Sequence, residues 1–274
     1  GCDIVMNDSM LFADVILPAV SHFEHDDIYG SYGQHYVQRA APAIPCVGEG
    51  LPNTEIFRRL AARFGYDDPI FKESDAELMD SAMDGNDPRM QGFKPSEVPL
   101  GCALEMTAQD GSELIMCDTV MPTTPSGKIE FFSSDLEQRF GFGVPRFEVV
   151  KQTRPYVLIT PSSAKRTNAT FGSCEESRGL EVLELHPDDA AANGVKSGDV
   201  VTISNDLGAV ALEAFVSDAV RPGVFYSPKG PWFRSSPTGM TTNALISSDT
   251  RADIERGACY NETFVEIAVG GSHA

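Results

Sequence analysis

Short apolar runs of strand-forming residues, at 156–159, 200–204, 210–216, 224–227 and 264–269, dominate the second half of the chain. Asn205-Asp206-Leu207-Gly208 and Arg221-Pro222-Gly223 supply turns between them. One short helix is predicted to start at Pro187, with Asp188 and Asp189 in its first turn where the helix dipole favours acids, and to end at Asn193-Gly194. Many short strands with regular turns predict a closed barrel. No internal repeat or low-complexity tract breaks this pattern.

The first of these runs leads into an unusual loop. Pro161 stops the strand because it has no N–H to donate to a ladder. Ser162, Ser163, Lys165, Arg166, Thr167, Asn168 and Thr170 follow within one short segment. Hydroxyls, an amide and two cations so close together suit a phosphate-bearing ligand. A solvated turn of the same composition is the competing reading.

Charge sharpens the choice. The chain carries 40 acidic against 21 basic residues, a formal net charge of -19. Nucleic acid and anionic membranes require an excess of Lys and Arg, so neither is expected as the main partner. Any anionic ligand must find a local basic spot, and Lys165-Arg166 is one. No apolar run is long enough to cross a bilayer, and no membrane insertion is expected.

A chain of 274 residues with 42% hydrophobic content favours two domains, divided here as 1–150 and 151–274. In the first, Ala13-Asp14-Val15-Ile16-Leu17-Pro18 reads as a short strand, preceded by the polar residues Asp3, Asn7, Asp8 and Ser9. Residues 53–65 read as a helix capped at Asn53 or Thr54 and ended by Gly65. Its core stripe is Ile56, Phe57, Leu60, Ala61 and Phe64, and Arg58, Arg59 and Arg63 form its solvated face. Ser74-Asp75-Ala76-Glu77 is a capping box opening a second helix that runs toward Gly85. From Gly85 to Pro125 the prolines predict an irregular surface connection. A strand at 127–132, a helix near 135–140 and a linker at 145–155 complete the first part. Gly1-Cys2 offers no initiating methionine or cap, and a piece of a longer chain is expected.

His22, His25 and His35 raise the possibility of a metal site. Their spacing argues against it, since Gly30 and Gly33 break any helix before His35 could share a face with the others. A polar loop lining a cleft is expected, rather than a metal hydrolase. The six cysteines contain no Cys-x-x-Cys pair, so no zinc knuckle or iron–sulfur cluster is expected here. They are expected to be mostly buried small apolar residues; their even number permits disulfides, but a chain of this size needs no such staples, which favours a cytoplasmic over a periplasmic location.

The order of motifs resembles the C-terminal part of a molybdopterin oxidoreductase of the dimethyl sulfoxide reductase and formate dehydrogenase superfamily. The resemblance covers nearly the whole chain. It is carried by Asp3-Ile4-Val5-Met6-Asn7-Asp8-Ser9, Glu24-His25-Asp26-Asp27-Ile28-Tyr29-Gly30, Asn53-Thr54-Glu55-Ile56-Phe57 and Thr124-Pro125-Ser126-Gly127-Lys128-Ile129-Glu130-Phe131. In the second half it is carried by Leu185-His186-Pro187-Asp188-Asp189-Ala190, Gly198-Asp199-Val200-Val201, Arg221-Pro222-Gly223-Val224 and Asn243-Ala244-Leu245-Ile246-Ser247. Singly these are weak; in this order they are specific. The resemblance implies an α/β, Rossmann-like remainder followed by a β-rich, six-stranded double-psi barrel.

It also implies a complete enzyme holding two molybdopterin guanine dinucleotides with molybdenum or tungsten, and an iron–sulfur cluster in an earlier part of the polypeptide. The partners it implies are the N-terminal domains of the same polypeptide, an electron-transfer subunit and a small-molecule substrate. Cofactor contacts carry over to Asp3 and Asn7 at a strand end, to Thr160, Ser162, Lys165, Arg166, Asn168 and Thr170 in the barrel loop, and to Trp232 and Asn243. Core packing is an equal reading for Trp232. No catalytic or metal-ligating residue is expected in this stretch, and the chain alone is expected to be inactive. Ser9-Met10 and Ala164-Lys165 depart from close relatives, which have Thr-Ala and a pair of histidines there; Lys165 cannot shuttle protons near neutral pH as histidine does. A binding or assembly module that keeps the fold without the chemistry is the alternative, since fold does not dictate function.

Overall fold

The computed structural model describes residues 1–30, 32–83, 87–249, 257 and 259–270. The chain divides into two compact units, Gly1–Glu130 and Phe131–Ala274.

The first unit combines a small parallel pair with a separate antiparallel sheet. Strands β1 (Cys2–Asp3) and β2 (Leu17–Pro18) pair in parallel, Cys2 opposite Leu17. The strand expected over 13–18 is therefore confined to its last two residues. Strands β3 (Asp27–Gly30) and β4 (Tyr36–Ala40) form a hairpin where a polar loop was expected, and β5 (Ala103–Glu105) joins β4 from within the expected irregular connection. Buried Glu24 ties this region together, accepting hydrogen bonds from Ser21 N (2.8 Å), Ser21 Oγ (2.6 Å) and Val47 N (2.7 Å). The Ser21 hydroxyl, followed by the two amides, holds the Glu24 carboxyl below its ordinary pKa.

Helix α1 (Asn53–Phe64) ends at Gly65, which takes the left-handed conformation. Its cap is Pro52, with no side-chain capping bond, where Asn53 or Thr54 was expected. The stripe is only partly core: Ile56 and Ala61 are buried, whereas Phe57 and Phe64 are exposed. Arg58, expected on the solvated face, is instead half-buried and bonds to Asp75 Oδ1 (2.7 Å) and the Glu73 carbonyl (2.7 Å). Helix α2 (Asp75–Ala82) opens on the expected capping box between Ser74 and Glu77. Gly85 lies outside the described residues.

The second unit contains α3 (Ser134–Phe140), the helix expected near 135–140. The strand expected over 127–132 is absent: the turn there closes on itself through Thr124 Oγ1 to the Lys128 carbonyl (2.6 Å) and Ser126 N to Glu130 Oε1 (3.0 Å). Six further strands close a barrel: β6 (Tyr156–Ile159), β7 (Val182–Leu185), β8 (Val200–Asn205), β9 (Gly208–Val216), β10 (Val224–Tyr226) and β11 (Thr263–Val269). The order around it is β10-β6-β11-β8-β9-β7, with β10 returning to β7 at Tyr226 opposite Glu184. Two pairs, β6/β10 and β7/β9, are parallel and the rest antiparallel. Helix α4 (Pro187–Asn193) follows β7, and Asn193 Nδ2 donates to Tyr156 Oη at 2.5 Å.

Period-two alternation builds the interior. Along β9, Val210, Leu212 and Ala214 point inward while Glu213 and Phe215 face out. Leu158, Leu183, Leu185, Val201, Ile203, Phe225 and Val265 complete a close-packed core. The loops leaving the carboxyl ends of β6 and β10 are thereby held on a rigid wall.

Candidate cofactor-binding loops

The loop after β6 is a succession of tight turns. Ser163 and Arg166 exchange backbone bonds of 3.2 and 3.3 Å, and Thr170 N donates to the Thr167 carbonyl at 3.1 Å. Asn168 takes a left-handed conformation (φ 51°), which asparagine tolerates better than most residues. As a result Ser162, Lys165, Thr167, Asn168 and Thr170 are all exposed, and none of their side chains bonds to another described residue. Arg166 turns the opposite way.

Arg166 is the correction here. Expected as a second phosphate-facing cation, it is 1% exposed and, among the described residues, the bulkiest fully buried side chain. Its Nη2 lies 2.6 Å from Glu181 Oε2 and its Nε donates to the Lys229 carbonyl at 3.5 Å. Glu181, which sequence reasoning did not single out, sits just before β7. Ion pairing across such a separation leaves no signal in a single sequence.

The loop after β10 packs against the first. Lys229 N donates to the Pro161 carbonyl (3.1 Å), Trp232 Nε1 to the Ala169 carbonyl (2.8 Å) and Ser235 Oγ to the Gly172 carbonyl. Trp232 is therefore buried and acts as a strut between the loops, the packing reading of that residue. Two glycines permit the approach. A Cβ on Gly172 would overlap the Trp232 indole, and one on Gly230, whose φ is +105°, would overlap the Asn168 carbonyl.

Thr160 and Ser227, at the carboxyl ends of parallel β6 and β10, are fully buried, and among the described residues their hydroxyls have no partner. Thr160 is thus buried beneath the loop rather than displayed on it. Asn243 lies exposed in a short 3-10 turn, Thr242–Leu245, with its side chain unengaged among the described residues. In the first unit, Asp3 and Asn7 hold each other: Asn7 Nδ2 donates to Asp3 Oδ2 at 2.6 Å, while Asp3 Oδ1 accepts from Val5 N and Asn7 Oδ1 from Met10 N, both at 3.2 Å. Their visible work is shaping the turn at the end of β1.

His22, His25 and His35 do not converge. His25 meets the Ser21 carbonyl (3.1 Å) and Asp27, and His22 packs on Phe23. Among the described residues no three His, Cys, Asp or Glu side chains lie close enough to hold a metal. Among the described residues no disulfide joins the cysteines, and Cys2, Cys46, Cys102 and Cys117 are exposed where mostly buried ones were expected.

The donor set suits a phosphate-bearing ligand. Lys165 offers a cation for a phosphate group, and Ser162, Thr167, Asn168, Thr170 and Asn243 offer exposed hydrogen-bonding groups uncommitted among the described residues. All but Asn243 follow the carboxyl end of β6, which runs parallel to β10, whereas the Asn243 turn lies beside the β8/β9 hairpin, where Asn205 Nδ2 donates to the Leu245 carbonyl at 2.7 Å.

The family model described as "Molydopterin dinucleotide binding domain" matches residues 156–264, and "Molybdopterin oxidoreductase" matches residues 2–63. Together they cover more than half of the chain. The probable oxidoreductase YoaE of Bacillus subtilis (strain 168) is 32% identical over 97% of this chain and 39% of its own length. The trimethylamine-N-oxide reductase of Haemophilus influenzae is 28% identical over 93% of this chain and 36% of its own. Among solved structures, acetylene hydratase from Pelobacter acetylenicus superposes with a TM-score of 0.68 at 20% identity, over 96% of this chain and 39% of that one, which shows the shared fold. The chain belongs to the molybdopterin oxidoreductases of the dimethyl sulfoxide reductase superfamily. It spans about two fifths of the length of the relatives it matches.

Proposed function

We propose that this chain is the cofactor-holding C-terminal part of an oxidoreductase that binds two molybdopterin guanine dinucleotides with molybdenum or tungsten. The complete polypeptide transfers electrons or an oxygen atom to or from a small substrate, with an iron–sulfur cluster in its N-terminal part and an electron-transfer subunit as partner. Formate, sulfoxides or N-oxides, and sulfur oxyanions are the substrate classes in range. The observation that carries this reading is the set of uncommitted donors around Lys165 and Asn168 on the loop that the dinucleotide-binding family model spans.

The bound metal and its pterins supply the redox chemistry; the protein supplies binding, orientation and electrostatics. Lys165 neutralises phosphate charge in an otherwise acidic chain. Asn168, Thr170 and Asn243 orient by hydrogen bonds worth about 0.5–1.5 kcal/mol each. The barrel beneath them keeps these groups in place before the ligand arrives, which lowers the entropic cost of binding.

A thermal-shift titration with GDP, standing in for the guanine end of the dinucleotide, tests this. At a hundredfold excess over the dissociation constant the stabilisation is about 2.7 kcal/mol, which is readily measured. Lys165→Ala and Asn168→Ala are each expected to reduce the shift by roughly half; the melting temperature of the free chain stays unchanged in Lys165→Ala and falls slightly in Asn168→Ala, where alanine replaces asparagine at φ 51°. A GDP response unaltered in both variants would refute the placement.

A further inference from the structure

One buried ion pair takes no part in the donor surface. Arg166 and Glu181 meet at 2.6 Å with side chains 1% and 15% exposed. Burying two charges is costly, and such a pair often adds no net stability over well-packed apolar residues. Its use therefore lies in geometry. Glu181 belongs to the barrel wall: its carbonyl accepts from Glu213 N at 2.9 Å, beside the β7/β9 ladder. Arg166 belongs to the loop, held between the exposed Lys165 and Thr167, with its backbone closed on Ser163. Its Nε reaches the Lys229 carbonyl of the second loop, and its Cβ lies against Gly230.

We infer that the Arg166–Glu181 pair is a latch fixing the donor loop to the barrel, and that Arg166 is a positioning residue rather than a phosphate ligand. The latch deepens the nucleotide-binding role proposed above and rests on it for its function. An arginine that contacted phosphate would need exposed N–H groups; here Nη1 is buried without a partner among the described residues, and Nη2 is committed to Glu181. Released from Glu181, the Arg166 side chain would seek water and turn its two neighbours with it. Lys165 and Asn168 would keep their chemistry but lose their direction.

The double substitution Arg166→Met with Glu181→Leu separates positioning from stability, because it removes both charges and leaves neither uncompensated. Trp232 reports the loop directly, being the chain's one tryptophan and bonded to the Ala169 carbonyl. The expected result is a melting temperature close to that of the unaltered chain, a Trp232 emission shifted to the red and more readily quenched by acrylamide, and a GDP affinity weakened at least about tenfold. If the double variant fails to fold, Glu181→Gln, which preserves side-chain shape, is read by the same two signals below its melting temperature. Unchanged Trp232 quenching, or a GDP affinity equal to that of the unaltered chain, would overturn the latch. An unaltered chain blind to GDP would instead overturn the nucleotide reading, and the loop-fixing part of the latch would then be decided by Trp232 quenching alone.

Discussion

Replacing Gly230 by alanine is expected to separate the two loops and destabilise the second unit by about 3 kcal/mol. Two costs coincide at this position. The residue sits at φ +105°, a conformation that favours glycine strongly. A Cβ there would also overlap the Asn168 carbonyl oxygen and come within 2.7 Å of its carbon, and backbone atoms cannot swing aside as a side chain can. The collision pushes apart the contact that carries the Trp232 bond to the Ala169 carbonyl. For a unit of this size the melting temperature should fall by roughly 10 °C, accompanied by a red shift of tryptophan emission. Retention of both the melting temperature and the emission maximum would show that the loops do not approach each other this closely.

Phe225→Ala should cost about 3–5 kcal/mol, the range for deleting a large ring from a packed core. Phe225 lies at the centre of β10 opposite Leu158, is 0% exposed, and stacks on Tyr156 with ring centroids 4.2 Å apart. The Tyr156 hydroxyl is in turn held by Asn193. The cavity opens where β6 and β10 run parallel, directly below Thr160 and Ser227, so the donor loops should loosen with the core. Phe215→Ala is the contrasting case: Phe215 is 51% exposed on the outer face of β9, and its removal should cost less than about 1 kcal/mol. Comparing the two variants by chemical denaturation checks the inward and outward assignment of the barrel; equal losses would contradict it.

Much of the barrel can be read from the sequence because its strands alternate and its turns are chemically explicit. The hairpin from Asn205 to Gly208 and the turn at Arg221-Pro222-Gly223 fall where those residues put them. Strand β7 is harder to see. Its signal is the pair Leu183 and Leu185, both fully buried, but flanking glutamates and the following Pro187 helix mask it. Strands β3 and β4 are hidden differently, since Asp27, Gly30, Gln38 and Arg39 dilute the apolar signal, only Val37 is buried, and their pairing satisfies backbone groups without a strong apolar alternation. Conversely, the run from Gly127 to Phe132 has strand-like composition but finds no partner, and Phe131 remains exposed. Propensity alone does not make a strand; a neighbouring edge must be available.

The donor loop divides along the same line. Residue types at 162, 165, 168 and 170 announce a polar, anion-compatible surface, and the structure leaves those side chains exposed and uncommitted. Arg166 looks equivalent in the sequence and is opposite in the fold, because Glu181 neutralises it from the barrel wall. The glycine at 230 is equally opaque: only the course of the second loop reveals that a side chain there would meet Asn168.

The proposed role requires that this chain hold a guanine dinucleotide form of molybdopterin. The most direct measurement is the amount of GMP and of pterin released by hydrolysis from the complete polypeptide carrying this chain, purified from cells supplied with molybdate or tungstate. Equimolar GMP and pterin are expected, at two of each per polypeptide. Pterin without GMP, or neither, would contradict it.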